Sequence, residues 1–270
     1  MKQIENNSKS RDLINSRQVF EKFLTPPRKS APEAEQKFLE QATIFSIPAN
    51  SVNLNAYCWG EGATVLLVHG WGGRGTQLGY FVKPLVESGY RVLAFDAPAH
   101  GRTPGNQTSG FELAVAIETV AKNEGSIHGI IAHSLGATST TLALSKSVVA
   151  SKVVFLGALC WLSSAITGFS RLARLSKETE EELRNLMENK FGEDVWQRSS
   201  VDRIAAKFNI PALLFHDRSD REVSYQESMA IARSWSNAQL IVTSGLGHKR
   251  ILRDDRVVRQ TVNFITEGVK

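Results

Sequence analysis

Three side chains of this chain could together perform a nucleophilic reaction. They are Ser134, in Ala132-His133-Ser134-Leu135-Gly136; Asp220, in His216-Asp217-Arg218-Ser219-Asp220; and His248, in Gly245-Leu246-Gly247-His248. A serine hydroxyl is a poor nucleophile until a neighbouring base accepts its proton, and that base must be oriented by an acid. Each residue alone has a plainer use: a structural turn for Ser134, a helix N-cap or turn for Asp220, a solvated or capping role for His248. Their conjunction carries the weight, because they occur in the order serine, aspartate, histidine, each after a separate apolar run.

The turn at Ser134 departs from the Gly-x-Ser-x-Gly pattern, since Ala132 fills the first glycine slot. That slot requires a small residue, because a strand and a helix approach closely there. Alanine adds a single methyl, and Gly136 meets the second requirement outright.

The apolar runs define the scaffold that must position these groups. Strands are expected near 43–48 and 53–59, then at 64–68, 91–95, 126–132, 152–158, 211–216 and 238–243. Helical spacing falls between them, at 77–88, 111–123, 135–149, 225–235 and 254–267, with a short helix over 33–45 leading in. Alternating strand and helix predict βαβ units and a doubly wound, mostly parallel α/β sheet. Such a sheet binds ligands outside the carboxyl ends of its strands, where all three candidate residues fall. Two segments break the rhythm. Residues 161–207 contain no strand-like run and read as a helical lid inserted between two strands. Residues 1–42 read as an N-terminal helical extension, with an amphipathic helix around "RDLINSRQVFEKFL" packing on the surface and ended by prolines. The core is expected over 43–160 and 208–270.

Bulk properties narrow the class. The chain has 270 residues, 42% hydrophobic and 22% charged, enough for one large core. Its net charge of +5 is spread among charges of both signs, and the densest basic stretch, 249–259, also holds Asp254 and Asp255. That stretch reads as the solvated face of a terminal helix, so no nucleic-acid partner is expected. Two cysteines, Cys58 and Cys160, make no disulfide framework. The N-terminus lacks the apolar core of a secretion signal, and no run approaches the roughly 18–20 apolar residues of a membrane span. A cytoplasmic protein without stable membrane insertion is expected, needing no cofactor and no metal. Its oligomeric state is open.

The chain resembles the α/β-hydrolase superfamily over residues 43–267, in an esterase- and lysophospholipase-like branch. The resemblance rests on "VLLVHGWGG", "VLAFDAPAHGRTPG", "IIAHSLGA", "LLFHDRSDREV" and "GLGHKRIL", in that order. It implies Ser134 as nucleophile, His248 as general base and then acid, and Asp220 as orienter. It further implies an oxyanion hole from the backbone N–H groups of Trp71 and Leu135, each donor worth roughly 3–4 kcal/mol. His69 and Gly70 would shape that loop, and His133 would line the pocket or support structure. Asp96 and His100 fall in a turn read as structural. Asp217, where the family usually has glycine, competes for the role of acid, but Asp220 matches the family position. The implied reaction is hydrolysis of a small-molecule carboxylic ester or thioester through an acyl-enzyme, with Trp161, Leu162, Ile166, Phe169 and Leu172 available to line an acyl pocket. Acyl transfer on the same triad and a non-catalytic binding module are the alternatives.

Overall fold

In a computed structural model, residues 16–49 and 52–267 are described. The early part of the expected N-terminal helix, 11–15, lies outside the described residues. A helix over 16–23 (α1) and helix α2 (Glu33–Glu40) precede the sheet. The eight described strands are β1 (Thr43–Pro48), β2 (Asn53–Trp59), β3 (Ala63–Val68), β4 (Tyr90–Phe95), β5 (Ile127–His133), β6 (Ala150–Leu156), β7 (Ala212–Asp217) and β8 (Ala238–Thr243). They form one sheet in the order β1-β2-β4-β3-β5-β6-β7-β8. Only the β1–β2 and β2–β4 pairings are antiparallel; every pairing from β4 to β8 is parallel.

Burial follows position in the sheet. β3, β5 and β7 are buried along nearly their whole length, so their sequences read as continuous apolar runs. The edge strands β1 and β8 are more exposed. One face is covered by α4 (Gly110–Glu124) and α5 (Leu135–Leu144), with α10 (Tyr225–Ser234) over β7 and β8. The other carries a 3-10 turn at Gly75–Phe81, helix α3 (Val82–Glu87) and the terminal helix α12 (Asp255–Thr266). Helix α4 starts with a serine N-cap, since Ser109 Oγ accepts from the N–H of Glu112. Two helices are shorter than their periodicity suggests. α2 stops at Glu40 because the chain must turn before Thr43 pairs with Cys58. α5 stops at Leu144, freeing the chain to enter β6 at Ala150.

Between β6 and β7 lie α6 (Leu162–Ala173), α7 (Lys177–Phe191), α8 (Val195–Arg198) and α9 (Val201–Ala205), with no strand. A separate apolar cluster sits beneath them, including Leu162, Ile166, Leu183, Met187 and Val195. Val19, Phe20 and Phe23 of α1 join the same cluster, and the Phe23 ring meets Phe169 edge-to-face at 5.3 Å. The segment after α1 is tied down firmly. The Arg28 guanidinium donates to the carbonyls of Gly101, Thr103 and Gly105, and the Leu24 carbonyl accepts from Thr108 N–H. Arg74 makes a two-pronged ion pair with Glu35 of α2. The N-terminal segment is therefore an integral wall of the molecule, beyond the surface packing its sequence suggested.

The crossing of β3, β5 and α5 explains the small residues around Ser134. A Cβ on Gly136 would lie 2.5 Å from the His69 carbonyl oxygen and 2.9 Å from that of Val68. Ala132 is fully buried in β5 between Val68 of β3 and Phe155 of β6. Its methyl already has room. Gly136→Ala is therefore expected to cost more than about 2 kcal/mol by overpacking, lowering Tm by several degrees in a thermal melt. Ala132→Gly is expected to cost about 1 kcal/mol. Equal Tm values for the two variants would contradict this steric account.

Candidate active site

Ser134 occupies the N-cap position of α5 with φ 54° and ψ −123°, a conformation costly for any residue with a Cβ. The neighbouring strand holds it there, its N–H donating to the Leu156 carbonyl at 3.0 Å. Unlike Ser109 of α4, Ser134 makes no side-chain capping bond to its helix. Its hydroxyl is left for another use. Gly70 permits the close approach of the next loop, for a Cβ there would fall 2.9 Å from Ser134 Cβ.

Asp220 and His248 come together from loops after β7 and β8. His248 Nδ1 donates to Asp220 Oδ2 at 2.7 Å, with both side chains almost wholly buried. This leaves Nε2 as the ring nitrogen able to exchange a proton. Asp220 Oδ1 accepts from the N–H groups of Glu222 and Val223 at 2.8 and 2.9 Å. Burial alone would raise the Asp220 pKa. Hydrogen bonds from His216 and His248 and the charge of His248 outweigh it and hold the carboxyl well below the usual range. Asp217 is placed differently. Its carboxylate accepts from Ser219 N–H, Thr243 Oγ1 and Leu246 N–H, tying the β7 loop to the β8 loop with no contact to His248 among these bonds.

His216 was not singled out from the sequence. It lies fully buried, with Nδ1 2.7 Å from Ser228 Oγ and Nε2 3.0 Å from the Val223 carbonyl and 3.3 Å from Asp220 Oδ2. Nε2 faces two acceptors, so it carries a hydrogen and supports the same carboxylate oxygen that His248 contacts. The sequence signal was its place at the end of a buried strand, but its partner Ser228 lies 12 residues on. Glu227 is likewise buried, its carboxylate accepting from the N–H groups of Cys160 and Trp161 where the chain leaves β6. Burial raises its pKa.

Three further histidines act as buried struts. His69 Nδ1 donates to the Gly70 carbonyl at 2.7 Å, while Nε2 accepts from Ala97 N–H. His100 Nε2 accepts from Gly72 N–H and Nδ1 donates to the Pro98 carbonyl. His133 Nε2 donates to the His248 carbonyl at 3.0 Å, its ring 4.5 Å from that of His248. Asp96 accepts from Gly75 N–H, Arg102 N–H and the Tyr57 hydroxyl. Desolvation lowers all three imidazoles, His69 to about 4 and His100 to about 3, with His133 well below its ordinary value.

Ser134 and His248 border one cavity of about 540 Å³. Trp71 and Leu135 also border it, and Leu135 is the first residue of α5, where helix geometry leaves backbone N–H groups without a helical partner. The walls are mostly apolar. Leu162, Phe169 and Leu172 come from α6, and Phe23, Leu24 and Pro27 from the N-terminal segment. Ile166 is instead buried in the cluster under the insertion, and Trp161 packs against the main core. Among the described residues no group of three histidine, cysteine or carboxylate side chains is arranged to hold a metal, and no helix is long and apolar enough to cross a membrane.

Fold and site together place the chain in a known class. A family model described as the alpha/beta hydrolase family matches residues 65–260, and the chain belongs to that family. Similar solved structures include an esterase from Pyrococcus furiosus, with 20% identity, TM-score 0.67, and coverage of 90% of this chain and 96% of that one. A bromoperoxidase from Bacillus anthracis gives 18%, 0.66, 84% and 100%. A meta-cleavage product hydrolase from Pseudomonas fluorescens gives 20%, 0.63, 83% and 98%. At these identities the likeness is one of fold. No curated protein sequence matches the chain.

The buried neutral imidazoles set a pH dependence of stability. Unfolded, each would titrate near 6.5. Folded, each stays neutral to a much lower pH, so below 6.5 the unfolded state binds more protons and stability falls as pH falls. For His69 the loss runs from about 6.5 to about 4, and by pH 5 it amounts to about 2 kcal/mol for each such histidine. Asp220 starts as an anion but gives the same direction: its contribution is present above about 3.9 and is lost below that. Urea unfolding between pH 7.5 and pH 5 is expected to show stability dropping by several kcal/mol. His69→Gln should be less stable at pH 7.5 yet lose less on acidification. Stability that rises toward pH 5 would overturn the assignment.

Proposed function

We propose that the protein is a serine hydrolase that cleaves a carboxylic ester or thioester through an acyl-enzyme. One observation carries this reading: His248, paired with the buried Asp220 carboxylate at 2.7 Å, borders the same apolar cavity as Ser134, an uncapped serine held at positive φ. In the proposed reaction Ser134 Oγ attacks the substrate carbonyl carbon while His248 Nε2 takes the hydroxyl proton. The tetrahedral oxyanion is held by the N–H groups of Leu135 and Trp71. Collapse breaks the bond to the leaving oxygen or sulfur, which takes the proton back from His248. Water then attacks the acyl-enzyme with the same assistance, releasing the acid and restoring Ser134. Asp220 stays ionised throughout, fixing the His248 tautomer and stabilising the imidazolium. His133 holds the His248 backbone and His69 shapes the oxyanion loop.

The apolar walls suit an acyl chain, and a cavity of about 540 Å³ is of the size used by small-molecule sites. In this reading residues 161–207 serve as a lid and the N-terminal segment completes its roof. Short to medium acyl chains are the expected substrates, and fastest turnover on long-chain esters would refute that preference.

A fluorophosphonate probe is expected to label the wild-type protein and not Ser134→Ala; a folded wild type that resists the probe would end the serine-hydrolase reading. Asp220→Asn is expected to lower kcat on a chromogenic ester by roughly a thousandfold to ten-thousandfold. Asp217→Asn should leave kcat within about tenfold while lowering stability by about 1–3 kcal/mol, because an amide keeps only one of the two oxygens that accept from three part-buried donors. If the two carboxylate variants exchanged these phenotypes, the acid would be Asp217.

A further inference from the structure

Beside the apolar cavity runs a second, more open groove of about 900 Å³. Its walls carry four arginines: Arg171 of α6, Arg184 of α7, and Arg218 and Arg221 of the loop that bears Asp220. Arg184 is neutralised by Glu180 at 2.8 Å. The other three have no carboxylate within ion-pair distance among the described residues. Arg171 donates to the Arg221 carbonyl, and Arg218 lies over the Tyr225 ring.

The acidic residues of the groove are already engaged. Asp220 is enclosed by two histidines, Glu227 by the N–H groups of residues 160 and 161, and Glu222 by Lys249 at 3.2 Å. The groove therefore presents positive charge. It also meets the catalytic cavity, for Ser164, Gly168, Arg171, Leu172 and Glu222 line both. An anion would not enter the apolar cavity, where its desolvation would go uncompensated. Guanidinium forks beside it match phosphate oxygens two at a time.

We propose that the arginine groove is a subsite for a phosphate-bearing leaving group, so that the substrate is an ester or thioester whose acyl chain fills the apolar cavity and whose alcohol or thiol part carries phosphate. The inference rests on the serine-hydrolase reading. Two sources of that phosphate share the chemistry, a phosphoglycerol head group and a coenzyme A thiol, and matched pairs of substrates separate them. The pairs are octanoylglycerol phosphate with octanoylglycerol, and octanoyl-coenzyme A with octanoyl-N-acetylcysteamine.

At low salt, kcat/KM is expected to be roughly tenfold or more higher for the phosphate-bearing member of at least one pair, and the responding pair identifies the source. The ratio should shrink as NaCl is raised from about 0.05 to about 0.5 M. In Arg218→Gln/Arg221→Gln, both on exposed side chains, kcat/KM for the phosphate member should fall about tenfold further than for its neutral partner. Ratios near one in both pairs, or a ratio untouched by the double variant in a folded protein, would overturn the subsite. If no member of either pair were hydrolysed, the hydrolase reading itself would fail, a result distinct from loss of the subsite.

Discussion

His69, His100, His216, Asp217 and His248 at the rim of this sheet are buried, and burial of a polar side chain is tolerable where it is paired. The parallel strands are covered on both faces and consist almost wholly of apolar side chains. Histidines and carboxylates are thereby displaced to the loops at the strands' carboxyl ends, and there they satisfy one another and the backbone. His69 joins the loops after β3 and β4, His100 joins the same two loops at Gly72, and Asp217 joins those after β7 and β8. The rim is thus cross-linked by hydrogen bonds before any substrate arrives. A site needing donors and acceptors held to within fractions of an ångström requires such a rim.

The two carboxylates of the β7 loop show how one environment yields two duties. Both are buried and both are held as anions, yet their hydrogen bonds differ in kind. Asp217 is saturated by donors of the fixed scaffold, a hydroxyl and backbone N–H groups. Asp220 keeps one oxygen for the backbone and turns the other to His248, with His216 in reach of the same oxygen. A carboxylate facing only fixed dipoles builds a loop, whereas one facing a ring whose second nitrogen is free can follow a moving proton.

The strands were legible because a run such as "TVLLV" has few other uses, and the order of Ser134, Asp220 and His248 was legible because each follows such a run. The choice of Asp220 over Asp217 needed a family pattern, since either residue type would serve. His216 could not be seen as a support for Asp220, because the direction of its ring is set by Ser228 and Val223 across a folded loop. The N-terminal segment was the larger omission. Its amphipathic spacing indicated a helix but not a destination. That destination depends on Arg28 reaching three carbonyls more than 70 residues away and on Phe23 meeting Phe169 of α6. Helix ends at Glu40 and Leu144 were overrun for a related reason: the residues beyond them suit a helix, and strand pairing takes them elsewhere.

Helix α6 is where these strands of argument meet. It supplies Leu162 and Phe169 to the apolar cavity, and Arg171 and Leu172 to both that cavity and the basic groove. Its first residues are held at Cys160 and Trp161 by the buried Glu227 carboxylate, which itself grows from the helix following the Asp220 loop. Movement of α6 would therefore alter the apolar wall, the arginine wall and the entry from β6 together, while the Asp220–His248 pair stays fixed to the loops after β7 and β8. That division separates recognition from chemistry. In the proposed hydrolase the strands would hold the reacting groups still, and a single helix, anchored at one end and clasped by Phe23 at its middle, would set what approaches them.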